Sequence, residues 1–129
     1  MTLVLDAWAV MAYLRDEPAG ARVEEAITER AVMSWINLGE VFYVLHRFAG
    51  PQASHETVRD LDAKLDVETP HSERVLSAAT IKAEHHLSYA DAFAAATALA
   101  HDAALLTGDP ELLGDDVPWR VEDLRSRRS

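Results

Sequence analysis

Four acidic residues stand where an α/β chain could bring carboxylates together: Asp6, Glu40, Asp91 and Asp109. Asp6 directly follows the apolar run 3–5, and Asp109 comes shortly after another apolar run. Glu40 and Asp91 lie just inside the starts of predicted helices. The carboxyl ends of parallel strands and the starts of the helices that follow them meet along one edge of a sheet, where ligands usually bind. We therefore expect the four carboxylates to share one cleft.

Each acid also has a purely structural explanation as a helix-start residue. Asp6 could cap the first helix, and Asp109 followed by Pro110 has the form of a cap and a first-turn proline. Segment 88–91 (SYAD) resembles a capping box, and segment 37–40 (NLGE) is a looser version. Acids are favoured at helix starts by the helix dipole. For each residue taken singly, this alternative stays open.

Taken together, the four acids favour a metal site. Several carboxylates at one edge would repel one another, and some would have to take up protons. A divalent cation such as Mg2+ or Mn2+ removes that conflict, and it suits phosphodiester hydrolysis because it activates water and offsets charge on the phosphate. The chain has no cysteine, so a metal would need oxygen or imidazole ligands. The residues alone predict an acidic metal site without specifying the substrate.

Short apolar segments alternate with helical patterns along the chain, which predicts a three-layer α/β/α sandwich with a mainly parallel central sheet. No repeat or linker interrupts the pattern, so we expect one domain over residues 1–129, with a frayed tail at about 125–129. Strands are expected at 3–5, 31–34, 67–69, 103–107 and 117–121, and helices at 7–15, 21–30, 37–48, 54–65, 72–86 and 89–101.

Composition limits the class of protein. The chain has 129 residues, 49% of them hydrophobic and 26% charged, as in a soluble globular domain. Its formal net charge of −10 disfavours a broad basic face for nucleic acid but permits local handling through metal ions. The first ten residues carry no basic leader, and no apolar run approaches the roughly 20 residues that span a bilayer. We expect a cytoplasmic protein with no membrane contact.

Four segments resemble the motifs of PIN domains, in the same order and at similar spacing. In the fourth, a hydroxyl residue, Thr107, stands two places before the acid. The resemblance runs over nearly the whole chain, and the small size is similar to that of the VapC toxins of VapBC toxin–antitoxin pairs. The segments are 4–9 (VLDAWA), 37–41 (NLGEV), 88–92 (SYADA) and 105–109 (LLTGD).

The resemblance implies a magnesium-dependent endoribonuclease, with Mn2+ as the alternative ion. Asp6, Glu40, Asp91 and Asp109 would form the catalytic and metal-binding pocket, with Asp6 and Asp91 as the main ligands. Thr107 would support the pocket. The resemblance also implies an RNA substrate, a homodimer, and inhibition by a small cognate antitoxin protein lying across the pocket and the neighbouring helices.

One other function stays open, and a second is disfavoured by the sequence. Many PIN domains carry a small hydroxyl residue one or two places after the first acid, where this chain has Ala7 and Trp8. That departure allows a catalytically silent PIN-like module that binds RNA or an antitoxin. A receiver-like signalling domain would need a lysine late in the chain, and none follows Lys82.

Aromatic and basic side chains add candidate contacts. Trp8, just past the first acid, could stack on RNA bases or touch an antitoxin. Trp35, beside a predicted strand, is expected in the core. The candidate phosphate contacts, each also explained as an ordinary solvated charge, are Arg15, Arg47, Lys82, Arg125, Arg127 and Arg128.

Overall fold

Five short strands alternate with helices and form one sheet in the order β3–β2–β1–β4–β5, with every neighbouring pair parallel. The computed structural model describes residues 1–126. The strands are β1 (Leu3–Leu5), β2 (Val32–Ser34), β3 (Asp66–Glu68), β4 (Ala104–Thr107) and β5 (Val121–Asp123). The helices are α1 (Ala7–Leu14), α2 (Gly20–Thr28), α3 (Trp35–Lys64), α4 (Ser72–Glu84) and α5 (Tyr89–Ala100), and a 3-10 helix, Leu124–Ser126, follows β5.

The sheet is covered on both faces, as an all-parallel sheet requires. Side chains of a strand alternate between the two faces. Leu3 and Leu5 pack in a core with apolar residues of α1, α2 and α3. Val4 and Leu105 pack in a second core with the alanine-rich α5 and with α4. This arrangement confirms the predicted three-layer α/β/α sandwich.

Strand register brings the first and fourth predicted motifs together. β1 and β4 are neighbours in the centre of the sheet, and Leu5 pairs with Leu106. The next residues along the two strands, Asp6 and Thr107, therefore lie side by side at the carboxyl edge of the sheet. β2 pairs with β1 on the other side, so the start of α3 comes to the same edge.

The helical run α3 contains one sharp break. Gly50 has φ 87° and ψ 176°, outside the helical region, and Pro51 follows it. The predicted helix end at Gly50–Pro51 is therefore confirmed. A second helical segment begins directly after the break and continues to Lys64. The predicted start at residue 37 was wrong: Ser34 is the cap, and its Oγ accepts a hydrogen bond from the Ile36 N–H at 3.2 Å.

Two further expectations are corrected by the structure. The last strand is Val121–Asp123, later than the predicted 117–121. Pro118 cannot donate to a neighbouring strand, and the buried Trp119 uses its indole N–H to donate to the Leu112 carbonyl at 3.1 Å. Trp35 was expected in the core, but it is 36% exposed.

The predicted frayed tail is described only in part. Arg125 lies in the 3-10 helix, whereas 127–129 fall outside the described residues, together with the candidate phosphate contacts Arg127 and Arg128. Among residues 1–126, no helix combines the length and the apolar character needed to cross a bilayer.

Two glycines of α3 are expected to respond oppositely to alanine. Gly50→Ala should lower the free energy of unfolding by about 1–3 kcal/mol, because φ 87° with ψ 176° suits only glycine. Gly39→Ala should raise it by about 0.5–1 kcal/mol, since Gly39 is helical and a β-carbon there meets open space. Urea unfolding of both variants measures the difference. Equal effects would contradict the backbone assignment at Gly50.

Candidate active site

Asp6 joins the end of β1 to the start of α1. It is 1% exposed, and its Oδ1 accepts a hydrogen bond from the Ala9 N–H at 2.9 Å, so the capping role open from the sequence is real. Its Oδ2 accepts a short hydrogen bond from the Thr107 hydroxyl. Thr107 Oγ1 accepts in turn from the Asp109 N–H at 3.0 Å. The chain Asp6–Thr107–Asp109 holds the first acid against the backbone of the fourth motif.

Asp109 begins a tight turn, where the sequence predicted a helix start. Its Oδ1 accepts from the N–H of Glu111 at 3.0 Å. That turn brings Glu111 into the acidic group: Asp91, Asp109 and Glu111 each offer a carboxylate oxygen within 4.8 Å of the others. Glu111 was missed by sequence reasoning. The Asp-Pro-Glu sequence was the available signal, because proline and aspartate favour turns of this kind.

Asp91 sits in the first turn of α5. The Ser88 Oγ accepts from the Asp91 N–H at 3.1 Å, so half of the predicted capping box is present. The Ser88 N–H donates to Glu111 Oε1 at 3.2 Å, which means that an acid from another element completes the cap. Asp91 itself is 7% exposed and is left facing the other carboxylates.

Glu40 is positioned by a buried asparagine. The side-chain amide of Asn37 donates from Nδ2 to Glu40 Oε1 at 3.4 Å and to the Ala90 carbonyl at 3.0 Å. Asn37 thereby ties the start of α3 to the residue before Asp91. Its Oδ1 is buried without a hydrogen-bond partner among the described residues. Sequence reasoning assigned segment 37–40 to a loose capping box and missed this bridging role.

The acids surround a cleft with a cavity of about 280 Å³. Glu40, Asp91 and Asp109 line it, while Asp6 and Thr107 are buried beside it. The structure thus brings the four predicted acids to one place, and adds Glu111. The residues that line the cleft are Ala7, Trp8, Met11, Ala12, Arg15, Glu17, Glu40, Val44, Asp91 and Asp109.

Burial raises the pKa values of Asp6, Glu40 and Asp91. Loss of water around Asp6 raises the pKa of its carboxyl from 3.8 to about 7, against the lowering effect of the hydrogen bonds from Thr107 and Ala9. The charges of Asp109 and Glu40 add to the rise. Burial, and then the neighbouring acid Asp109, also raise the pKa values of Asp91 and Glu40.

No ion pair within residues 1–126 joins these acids to a lysine or an arginine. The cleft therefore gathers carboxyl groups that form no ion pair with a lysine or an arginine of the described part of the chain. Carboxylate oxygens are the ligands that Mg2+ and Mn2+ accept in proteins. The donor set fits such a cation, and Asn37, whose amide donates to Glu40, also carries a buried acceptor, Oδ1, without a partner among the described residues.

The parallel α/β sandwich with an acidic cleft at its carboxyl edge defines a known class of protein. The family model for the PIN domain matches residues 3–114. The chain belongs to the PIN-domain family, and the resemblance seen in its motifs is confirmed.

Solved structures with the same fold include toxin–antitoxin proteins. DNA-bound VapBC from Salmonella typhimurium superposes with a TM-score of 0.78 at 18% identity, covering 96% of this chain and 98% of that chain. VapBC-1 from nontypeable Haemophilus influenzae gives 0.73 at 21% identity, with coverage of 97% and 99%. Mycobacterium tuberculosis VapC20, a toxin that cleaves the sarcin–ricin loop, gives 0.69 at 18% identity, with coverage of 86% and 92%. No curated protein sequence gives a match.

Without divalent cations, we expect stability to fall as the pH rises. The folded state binds the Asp6 proton more tightly than the unfolded chain does, so this stabilising effect is lost between the ordinary pKa of 3.8 and about 7. Urea unfolding in EDTA across that interval measures the slope.

Two variants separate the contribution of Asp6 to the pH dependence of stability from the contributions of the other acids. Asp6→Asn should make the slope shallower, because it removes one of the three carboxyls whose pKa is raised. Asp102→Asn, at an acid whose side chain is 98% exposed, should leave the slope unchanged. A slope that is as steep in Asp6→Asn as in the unaltered protein would contradict the assignment to Asp6.

Proposed function

We propose that this PIN-domain protein is a divalent-cation-dependent endoribonuclease that acts as the toxin of a toxin–antitoxin pair. One observation carries the proposal: a buried carboxyl, Asp6, lies among the carboxyls Glu40, Asp91 and Asp109, and no described cationic side chain pairs with them. Such a group is costly to assemble without a ligand of opposite charge. Its chemistry suits phosphodiester hydrolysis better than simple structural capping.

In this proposal Asp6, Asp91 and Asp109 hold the cation, Mg2+ or alternatively Mn2+, directly, and Glu40 would act through water bound to the cation. When bound, the cation would polarise the phosphate and make water a better nucleophile. Thr107 fixes one oxygen of Asp6, which leaves that carboxyl a single orientation.

Glu40 is the proposed proton acceptor of the reaction. It is half-buried in the cleft wall and has a raised pKa, which brings a carboxylate closer to the range useful for a general base. Asn37 keeps its Oε1 in place by donating to it. The Asn37 bridge to Ala90 fixes Glu40 relative to α5, which carries Asp91.

Support for the substrate and partners comes from the structural neighbours and from the surface. VapC20 cleaves an RNA element, and the VapBC structures are complexes of a toxin with its antitoxin, so we propose RNA as substrate and a small antitoxin as inhibitor. Exposed apolar side chains on α3, including Tyr43 and Phe48, support the proposed homodimer. The proposed compartment is the cytoplasm.

Cleavage of RNA should need both the cation and the acids. With Mg2+ or Mn2+ present, the purified protein should cut a panel of structured RNAs, and EDTA should stop the reaction. Asp6→Asn and Asp91→Asn should each lower the rate by at least about 100-fold, since even groups that only orient metal ligands can cost that much. The measurement is the initial rate on labelled RNA, resolved on gels.

The control is Asp102→Asn, which changes an acid whose side chain is 98% exposed and does not line the cleft, and it should leave the rate intact. Cleavage that survives EDTA and Asp6→Asn would overturn the proposed function. RNA or antitoxin binding without cleavage across the panel would overturn it in favour of the silent PIN-like module.

A further inference from the structure

Trp8 brings an aromatic ring to the acidic cleft. It lies in the first turn of α1, two residues after Asp6, and is half-buried. Its side chain lines the same cleft as Glu40, Asp91 and Asp109. The remaining lining is apolar on this side, formed by Ala7, Met11, Ala12 and Val44. A flat, partly accessible aromatic surface therefore stands beside the carboxylates that would bind the cation.

The indole ring of Trp8 packs against Gly108. A β-carbon built at position 108 would overlap the Cε2, Cζ2 and Cη2 atoms of Trp8. The ring therefore packs directly on the buried backbone between Thr107 and Asp109, both of which take part in the hydrogen-bonded chain to Asp6. The position of the ring relative to the acids is therefore fixed, because Gly108, on which the ring packs, lies directly before Asp109.

Arg15 is the one cationic residue among those that line the cleft. It follows the last turn of α1, and it is exposed. No ion pair engages it within the described residues, although Glu17 lines the same cleft. A guanidinium suits a phosphate group through paired N–H donors. The cleft thus combines an aromatic ring, a free guanidinium and a set of carboxylates.

We propose that Trp8 stacks on an unpaired base of the substrate, while Arg15 contacts a phosphate adjacent to the scissile phosphate, which lies at the carboxyl groups. This inference rests on the proposed ribonuclease function and adds two residues of this chain that would position the substrate, Trp8 at an unpaired base and Arg15 at a phosphate. In a duplex each base face is covered by its neighbours, so only an unpaired base can meet the indole.

Binding measured without cleavage tests the inference. Fluorescein-labelled oligoadenylate and its duplex with oligouridylate are titrated with the full chain in EDTA at low salt, and anisotropy gives the dissociation constants. We expect the single strand to bind more tightly than the duplex. Trp8→Leu should weaken single-strand binding by about 10-fold, a typical cost of losing one stacked base, and should leave duplex binding unchanged.

Trp8→Phe separates stacking from packing. Phenylalanine and leucine both keep an apolar side chain near Gly108, so a purely structural role predicts similar binding by the two variants. Stacking predicts that Trp8→Phe retains most of the preference for the single strand while Trp8→Leu loses it. Trp35→Leu is the matched control, because Trp35 is 36% exposed and does not line the cleft; it should bind like the unaltered protein.

The outcomes distinguish this inference from the function on which it rests. If cation-dependent cleavage holds but Trp8→Leu binds both probes like the unaltered protein, the stacking role is overturned and Trp8 belongs to packing or to a protein contact. Equal loss of binding in Trp8→Leu and Trp8→Phe also overturns it. If cleavage itself survives Asp6→Asn, the ribonuclease proposal fails, whatever the Trp8 variants do.

Discussion

The central constraint on this structure is the free-energy cost of burying several carboxyl groups together at one edge of the sheet. Asp6 is almost completely buried, Asp91 nearly so, and no described lysine or arginine pairs with them. Burial raises the pKa of both groups because the charged form loses its hydration. Hydrogen bonds from Thr107 and the Ala9 N–H offset only part of that cost for Asp6. A divalent cation would remove the remainder, which links the stability of this edge to the proposed chemistry.

The fold places the acids by simple means. Two central parallel strands, β1 and β4, run in register, so the residues after them meet, and helices α3 and α5 begin near the same edge. Local caps then orient the side chains, as Asp6 does for α1 and Ser88 for α5. The capping and catalytic interpretations of Asp6 are therefore compatible, because one oxygen caps the helix while the carboxyl stays within the acidic group.

Local patterns predicted much of this from the sequence, and tertiary contacts account for the rest. Strand ends, the alternation of elements and the cap at Ser88 depend on neighbours in the chain, so they were accessible. The role of Asn37 depends on Ala90, which is remote in sequence, and that of Glu111 depends on a turn that the sequence suggested was a helix start. Trp35 was misplaced because its apolar character indicates burial without showing that α3 turns it outward.

The most direct measurement of the central claim is a crystal structure of the protein with Mn2+, with anomalous scattering used to locate the ion. The account predicts an anomalous peak in the cleft, coordinated at about 2.1 Å by carboxylate oxygens that include Asp6 or Asp91. Manganese peaks confined to other surfaces, with the cleft acids turned away from one another, would contradict it.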